Sequence, residues 1–415
     1  MPKDFTAYQK RLFVFLSVAN FFEGYDFFAI SQLLPSIRET YGLDARHGTW
    51  LIALINFGTI LAYLLVRRAD RWGRRQVMAV TIAGYALFTF LSALAPYVAV
   101  GAAGAVLFGV LQLIARIFLI GEWATSMVVA AEEYPAERRG MVIGVVSAAG
   151  GLGSIVCAGV VPLLLKTPLG WQSVYFVGVI PLLLVMYARR GLRETERFTA
   201  TAATRTVATP LFDILRGPYR RRVLELGAIW FLSYICTQNA VTFWKEFALH
   251  ERHLTQGQTG AIISVAAVVS MPLVFFAGKM LDTIGRRRGA VVIFGSAIVG
   301  VFGAYTFWGF VPLLICMTVG IFGINAVLTV LNTFMTELFP TEVRGNAVAW
   351  SNNLIGRIGY VLSPLAIGQV VQDHGWGVPL RISTLFPLVA LGLIFLWLPE
   401  TRARELEDIS KAAEA

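Results

Sequence analysis

The amino-acid sequence predicts an all-α membrane protein with twelve transmembrane helices, arranged as two six-helix bundles related by pseudo-symmetry. Hydrophobic residues make up 57% of the 415-residue chain and charged residues only 14%, whereas a typical soluble domain has about 25% charged residues. Too few charges are present to cover a water-exposed surface of this size. The composition therefore excludes a disordered chain, a nucleic-acid-binding protein and an ordinary soluble enzyme, and it makes the lipid bilayer the main surroundings of the chain.

Twelve apolar runs are long enough to cross a bilayer, which takes about 20 helical residues, and we number them span 1 to span 12. They cover residues 12–37, 49–66, 76–96, 100–131, 141–165, 171–188, 223–248, 259–281, 289–307, 311–336, 346–371 and 380–398. Span 1 exceeds the apolar part of a signal peptide and carries Glu23 and Asp26 near its centre, so we expect it to be retained. No polar break lies between Pro96 and Arg116, and the turn between spans 3 and 4 stays open.

The basic residues lie mainly in the short loops between spans. With a cytoplasmic amino terminus, 27 of the 35 lysines and arginines fall on the inner side, six on the outer side, and Arg116 and Arg357 inside spans. This asymmetry fits the positive-inside rule. It predicts a multi-pass protein of the cytoplasmic (inner or plasma) membrane with both termini in the cytoplasm. The three cysteines lie inside apolar runs and the four histidines outside them, so no metal site is predicted.

Three loop motifs occur twice, in the same order in each half of the chain. They are Asp-x-x-Gly-Arg-Arg, Glu-x-x-Pro-x-x-x-Arg-Gly and Leu-x-Glu-Thr, and they follow spans 2, 4 and 6 and again spans 8, 10 and 12. The copies begin at Asp70 and Asp282, at Glu132 and Glu337, and at Leu192 and Leu398. The offsets of 212, 205 and 206 residues are nearly constant, which indicates two halves derived from one ancestor.

The repeat defines the predicted domains and gates. The domains are an N-terminal six-helix bundle at 1–190, a cytoplasmic linker at 191–222, a C-terminal six-helix bundle at 223–398 and a cytoplasmic tail at 399–415. We assign the duplicated loops to the scaffold and to an inner gate, in which salt bridges between the halves hold one state; the alternative is that these charges are merely solvated. The gate residues are Asp70, Arg71, Gly73, Arg74, Glu132, Arg139, Asp282, Gly285, Arg286, Glu337 and Arg344.

These motifs resemble those of the major facilitator superfamily. Within it, Phe22-Glu23-Gly24-Tyr25-Asp26-Phe27 and Gly121-Glu122-Trp123-Ala124 resemble the metabolite–proton and aromatic-acid–proton symporters. One departure is Val66, which stands where the first loop motif is usually preceded by glycine; the second copy keeps Gly278. The resemblance implies a secondary active transporter that works by alternating access and is driven by a proton gradient, without a cofactor and without enzymatic activity. It also implies that spans 3, 6, 9 and 12 face lipid.

Five ionisable side chains lie near the middle of predicted spans. They are Glu23, Asp26, Arg116, Glu122 and Arg357. A charge at the bilayer centre costs at least about 2.5–3.5 kcal/mol, so each is a functional candidate. At the 205-residue offset Arg357 aligns with Leu152 and Glu122 with Val327, so the other half does not repeat these charges. They therefore belong to something asymmetric, such as a substrate.

The chemistry of these groups predicts their roles. Arginine presents a planar fork that fits a carboxylate, so Arg116 and Arg357 are candidates for binding an anion; the alternative is that each neutralises a carboxylate, Glu122 in the case of Arg116. Asp26 is the first candidate for the proton carrier, followed by Glu23 and Glu122; the alternative is a structural hydrogen-bonded pair. Further candidate substrate contacts are Asn353, Tyr25, Gln238, Asn239 and Asn332, although the amides are equally suited to joining helices.

We therefore predict proton-coupled symport of a small organic acid, either a carboxylate metabolite or an aromatic acid. A sugar or polyol porter is the close alternative, but a neutral sugar does not call for two arginines inside the membrane. A drug efflux antiporter and a non-transporting membrane sensor are further alternatives. The predicted partners are a small anionic molecule, protons and lipid, without nucleic acid, and the chain is expected to be a monomer.

Overall fold

The computed structural model describes residues 5–66, 72–177 and 212–402 of the chain. Every regular element in these ranges is a helix. The chain divides into two compact units. Unit 1 comprises Met1–Asp44 and Leu54–Ala208, and unit 2 comprises Ala45–Ala53 and Thr209–Ala415. The division after Ala208 falls inside the predicted linker, most of which lies outside the described residues, as does nearly all of the predicted tail.

Spans 1 to 5 form long helices, and the described start of span 6 is also helical. Their bounds are Ala7–Tyr41, Ala45–Val66, Arg74–Val98, Gly101–Glu133 and Ala136–Leu164, followed by Gln172–Phe176 at the start of span 6. Thr6 caps span 1 in a capping box with Gln9, and Gly42 ends it with φ 64°. The turn that the sequence left open lies at Ala99 and Val100, which are extended.

The later spans are interrupted more often than the earlier ones. Span 7 consists of Arg220–Thr237, Asn239–Thr242 and Trp244–His250, and spans 8, 9 and 10 are Gln256–Ile284, Arg286–Ala304 and Phe310–Glu337. Span 11 runs as an α-helix over Thr341–Val348, a π-helix over Ala349–Gly356 and an α-helix over Arg357–His374, and span 12 consists of Gly377–Ser383 and Leu385–Trp397. Nine helices in the described residues are long and apolar enough to cross a membrane. They coincide with predicted spans 1, 3, 4, 5 and 8 to 12.

In each unit, two helices cross in close backbone contact at glycine residues. In unit 1, a Cβ atom on Gly24 would overlap the carbonyl oxygen of Gly150, and one on Gly153 would overlap the carbonyl oxygen of Phe21. The backbones of spans 1 and 5 can therefore approach closely only because these positions are glycine. In unit 2, spans 7 and 11 repeat this contact, since a Cβ atom on Gly359 would overlap the carbonyl oxygen of Phe231.

The duplicated inner loops form ion pairs within each unit. In unit 1, Arg74 at the start of span 3 pairs with Glu132 at the end of span 4, with 3.1 Å between Nη2 and Oε1. In unit 2, the equivalent Arg286 pairs with Glu337 at 2.6 Å and with Asp282 at 3.0 Å. We predicted salt bridges between the halves, and the pairs described here instead join helices of one half. Their side chains connect the start of span 3 to the end of span 4, and the end of span 8 and the start of span 9 to the end of span 10.

The remaining gate residues differ in what the structure describes. Asp70 and Arg71 lie outside the described residues, as does the side chain of Arg139. Arg344 donates from Nε and Nη2 to the carbonyl oxygen of Phe339. Gly73 and Gly285 precede spans 3 and 9 with φ 93° and φ 96°, a backbone conformation that explains the glycine in both copies of the motif.

Candidate functional site

Three carboxyl groups and one guanidinium are buried together within unit 1. Glu23 and Asp26 of span 1 are each 7% exposed, Arg116 of span 4 is 4% exposed and Glu122 is fully buried. Glu23 interacts electrostatically with Glu122, Arg116 and Asp26, and Asp26 interacts with Arg116. The structure thus brings together four of the five charged residues that the sequence singled out.

Hydroxyl groups on spans 3 and 4 hold two of these carboxyl groups. Thr89 Oγ1 donates to Asp26 Oδ2 at 2.9 Å, and Ser126 Oγ donates to Glu122 Oε1 at 2.5 Å. The second oxygen of Glu122 is buried without a hydrogen-bond partner among the described residues, and so is Oε2 of Glu23. Buried carboxyl oxygens with unused acceptor capacity are costly to keep, which favours a site where a proton or a ligand arrives.

Arg116 stacks on an aromatic ring, and it forms no ion pair with a carboxylate among the described residues. Its Cζ atom lies 4.2 Å from the centroid of the Phe27 ring, a cation–π geometry. Its Nη1 atom is buried and has no hydrogen-bond partner within the described ranges. The alternative interpretation requires an ion pair between Arg116 and Glu122, and the described residues contain no such pair.

A cavity of about 220 Å³ opens beside this cluster, entirely within unit 1. It is lined by spans 1, 4 and 5 through Asn20, Glu23, Gly24, Phe27, Trp123, Ser147, Gly150, Gly151 and Ser154. Glu23 contributes a carboxyl group to the wall, Phe27 and Trp123 contribute rings, and the glycines of the helix crossing contribute exposed backbone. The cavity therefore combines flat apolar surfaces with hydrogen-bonding groups, as ligand sites commonly do.

Arg357 is the member of the five predicted intramembrane charges that lies in unit 2. It is half-buried at the point where the π-helical segment of span 11 ends. Its Nε atom lies 3.4 Å from Oδ1 of Asn353, one turn earlier, and the neighbouring Asn352 accepts a hydrogen bond of 2.8 Å from the Tyr234 hydroxyl on span 7. Among the described residues, no carboxylate lies within 4 Å of the Arg357 guanidinium. Short π-helical segments are frequently found at functional sites.

The duplicated glycine crossing shows which surface Arg357 occupies in its own unit. Gly359 of span 11 makes the contact that Gly153 of span 5 makes in unit 1, which sets the offset between these spans at 206 residues. Arg357 then aligns with Gly151, not with Leu152 as the loop offset of 205 suggested. Gly151 lines the cavity of unit 1, so Arg357 lies on the corresponding surface of unit 2.

Four other predicted substrate contacts are placed differently. The Tyr25 ring is buried and points its hydroxyl at the carbonyl oxygen of Val174, 3.4 Å away, so it is absent from the cavity wall. Asn239 is buried and donates to Ser363 Oγ at 2.6 Å, which joins spans 7 and 11. Gln238 is half-buried at the first break of span 7, and Asn332 is exposed on span 10.

Sequence reasoning missed Thr89 and the contact between Phe27 and Arg116. Span 3 was expected to face lipid, yet one of its faces is buried and carries the hydroxyl that binds Asp26. The signal was a row of polar residues at helical spacing, which comprises Thr81, Tyr85, Thr89 and Ser92. Phe27 carried no such signal, since one aromatic residue in an apolar span most often serves packing.

Known proteins match this chain both as a family and as individual relatives. The model of the Major Facilitator Superfamily matches residues 16–364. The chain is 26% identical over 406 residues to the "Probable 4-methylmuconolactone transporter" of Cupriavidus pinatubonensis, covering 94% of this chain and 90% of that one. It is also 26% identical over 391 residues to the "Cis,cis-muconate transport protein" of Acinetobacter baylyi, covering 89% of each.

Among solved structures, the inward open xylose transporter XylE from E. coli superimposes with a TM-score of 0.78. The match covers 97% of this chain and 99% of that one at 16% identity. This similarity confirms the fold predicted from the sequence.

Proposed function

This chain belongs to the Major Facilitator Superfamily and is a multi-pass membrane transporter, and on that premise we propose that it carries a small organic acid in symport with protons. The observation that carries the proposal is the unequal distribution of charge near the middle of the spans: three buried carboxyl groups in unit 1, and in unit 2 a half-buried arginine with no carboxylate within 4 Å among the described residues. The charged residues that unit 2 buries, Glu225, Lys245 and Glu246, lie in the first and last helical pieces of span 7. The carboxyl groups of unit 1 are suited to protons and Arg357 to an anion.

Arg357 supplies the binding group for the acid. A guanidinium in a half-buried position forms charge-assisted hydrogen bonds to both oxygens of a carboxylate, and these bonds are roughly twice as strong as neutral ones. Asn353 orients the fork through Nε and leaves the Nη atoms for the ligand. A neutral sugar offers no group that needs this charge, so the arrangement favours an acid over a polyol.

The carboxyl cluster of unit 1 supplies the proton sites. Asp26 is the carrier in this proposal because it is buried, hydrogen-bonded to Thr89 and within electrostatic range of Arg116. Removing a carboxyl group from water favours its neutral form, and a nearby cation favours its charged form. Balanced influences of this kind allow a group to take up a proton on one side of the membrane and release it on the other. The entry of an anion into a site with excess negative charge is unfavourable unless protons enter with it.

Two relatives support the choice of cargo. Both named relatives are transporters of unsaturated organic acids or their lactones by their printed names, and each aligns along most of this chain. The xylose transporter supports the fold alone at its level of identity. We further propose that both termini face the cytoplasm, because the basic residues of the sequence concentrate in the loops on that side.

The test is uptake by purified protein in proteoliposomes. A panel of labelled mono- and dicarboxylates, aromatic acids and sugars is offered with an inward proton gradient, with the gradient collapsed by a protonophore, and with no gradient. We expect accumulation of at least one organic acid only when the gradient is present. Accumulation of a sugar in place of any acid, or equal accumulation without the gradient, would overturn the proposal.

A further inference from the structure

We propose that the Phe27 ring is a removable cover over a second anion subsite, and that a carboxylate of the transported acid takes the place of the ring on the Arg116 guanidinium. This inference rests on the proposed function for the identity of the ligand. It concerns a position that the sequence did not single out, and it makes Phe27 a specificity-determining residue.

The hydrogen-bonding capacity of Arg116 indicates an unfilled ligand position. A guanidinium carries five N–H donors, and burying donors without acceptors is costly. Arg116 is 4% exposed, its Nη1 atom is buried without a hydrogen-bond partner, and no carboxylate lies within 4 Å of it in the described ranges. The face of the Phe27 ring, 4.2 Å away, is a weaker substitute for an anion.

Phe27 separates this guanidinium from the cavity of unit 1. The Phe27 ring forms part of the cavity wall, whereas Arg116 is absent from that wall. One face of the Phe27 ring therefore contacts the guanidinium, and the exposed part of the ring faces the cavity. A rotation of this one side chain is the shortest way to connect the two.

The packing around Arg116 and Phe27 favours rotation of the Phe27 ring over movement of the arginine. A Cβ atom on Gly58 of span 2 would lie 3.1 Å from the Cβ atom of Arg116, so the stem of the arginine is closely packed against span 2. Phe27, by contrast, is only partly buried. The arginine is thus the more closely packed of the two side chains, and the ring is the more exposed one.

The first experiment measures access without depending on transport. Arg116→Cys is placed in a background with Cys157→Ser, Cys236→Ser and Cys316→Ser, and its modification by an anionic methanethiosulfonate is timed with Phe27 or with Phe27→Ala. We expect at least a tenfold faster reaction in the Phe27→Ala protein. Phe88→Ala is the matched control, since Phe88 stacks on Phe118 elsewhere in unit 1, and it should leave the rate unchanged. Equal rates with Phe27 and Phe27→Ala would overturn the cover.

The second experiment tests the competition between ring and ligand in proteins that keep Arg116. Phe27→Leu retains bulk and removes the π face, and Phe27→Trp provides a stronger cation–π partner. We expect the affinity for the acid, measured by equilibrium binding, to rise severalfold with Phe27→Leu and to fall severalfold with Phe27→Trp. Both effects should vanish in an Arg116→Gln background, because the interaction they modulate is gone.

The outcomes separate this inference from the proposed function. Effects of Phe27 that persist in the Arg116→Gln protein would show that the ring acts by packing, and the subsite would be wrong. Rapid modification in the Phe27→Ala protein together with no binding of any organic acid would instead overturn the proposed cargo, and with it the carboxylate as ligand. Size-exclusion profiles of each variant confirm that the protein is folded.

Discussion

Unit 1 and unit 2 share their scaffold features and differ in the charges they bury. Both use a glycine to bring two helices into backbone contact, at Gly153 in unit 1 and Gly359 in unit 2. Both also tie their inner helix ends with an arginine–glutamate pair. The carboxyl cluster around Asp26, however, has no counterpart at the equivalent positions of unit 2, where Cys236 corresponds to Asp26 when the two helix crossings are aligned.

This contrast separates what the fold requires from what the cargo requires. A residue needed to build or to rock a six-helix bundle is expected in both units, whereas a residue needed for an asymmetric ligand is expected in one. By this criterion we propose that the duplicated ion pairs serve the scaffold, the carboxyl cluster serves proton coupling and Arg357 binds the anion. Each prediction below tests one of these assignments.

The largest effect is expected at Asp26, the proposed proton carrier. Asp26→Asn keeps the side-chain size and the contact with Thr89 but cannot take up a proton. We expect accumulation driven by a proton gradient to be abolished while exchange of labelled for unlabelled acid continues, because exchange needs no net proton movement. Both activities are measured in the same proteoliposomes.

Cys236→Ala is the matched control for that variant, since it changes the equivalent buried position of unit 2. It should retain gradient-driven accumulation. Gradient-driven accumulation that survives in the Asp26→Asn protein would move the carrier role to Glu23 or Glu122, and the contrast between the units would then rest on a different residue of the cluster.

The next largest effect is expected at Arg357, the proposed anion-binding residue of unit 2. Arg357→Lys preserves the charge and loses the planar fork. Hydrogen bonds to charged groups contribute about 1.5–3 kcal/mol, so losing one should raise the KM for the acid by about 10–100-fold. Arg381→Lys, in the first helical piece of span 12, is the control and should leave the KM within about twofold. An unchanged KM in the Arg357→Lys protein would contradict direct recognition of the acid by this arginine.

Apolar runs and repeated motifs were sufficient to predict an all-helical membrane fold of the major facilitator type. The reason is physical: a helix in lipid must satisfy its own backbone and present apolar side chains, and both requirements are visible in the sequence. The position of the turn at Ala99 and Val100 was not visible, because no polar residue marks it. Charges within spans were also visible, because their cost makes them rare.

Contacts between spans could not be predicted in the same way. Thr89 contacts Asp26 across 63 positions of sequence, and nothing in the local pattern of span 3 specifies that partner. Tyr25 is an aromatic residue of the kind that can contact a ligand, yet its hydroxyl is directed at the carbonyl oxygen of Val174, 3.4 Å away. The π-helical segment before Arg357 ends at Gly356, which packs closely on span 7: a Cβ atom there would lie 2.8 Å from the Cβ atom of Trp230. Such features depend on tertiary structure.

A smaller effect, equal in the two units, is expected at the duplicated inner ion pairs. Glu132→Gln removes the charge that pairs with Arg74, and Glu337→Gln removes the charge that pairs with Arg286. Losing a charge-assisted hydrogen bond at these mostly buried positions costs about 1–3 kcal/mol. Both variants should therefore lower the unfolding temperature and leave the KM for the acid within about twofold.

Thermal unfolding in detergent and initial uptake rates check this pair. If only one of the two variants is destabilised, the two ion pairs contribute unequally to stability although their sequence motifs are alike. If either variant raises the KM as strongly as Arg357→Lys, the ion pair takes part in binding and its assignment to the scaffold is wrong.

The smallest effect concerns the pH dependence of stability and Glu400, which follows the C-terminal end of span 12. Burial raises the pKa of Glu400, but the backbone N–H groups of Arg287, Arg286, Arg402 and Thr401 donate to its carboxylate and together lower the pKa below its ordinary value of 4.5. Two of these donors, on Arg286 and Arg287, lie 2.9 and 3.0 Å from the carboxylate oxygens. They belong to the first turn of span 9, where a negative charge is favourable.

The sign of the pH dependence follows from that lowered pKa. The carboxylate stabilises the fold at any pH above the unfolded-state pKa, and the stabilisation is lost as the pH falls through the folded-state pKa. The difference in unfolding temperature between the wild type and Glu400→Gln should therefore be constant from about pH 8 to about pH 5.5 and shrink below about pH 4.5. Glu39→Gln, at an exposed position near the end of span 1, should show no such difference. A gap between wild type and Glu400→Gln that widens on acidification would reverse the sign and show that Glu400 is stabilising in its neutral form, which would remove the anion-capped start of span 9 from the scaffold features of unit 2.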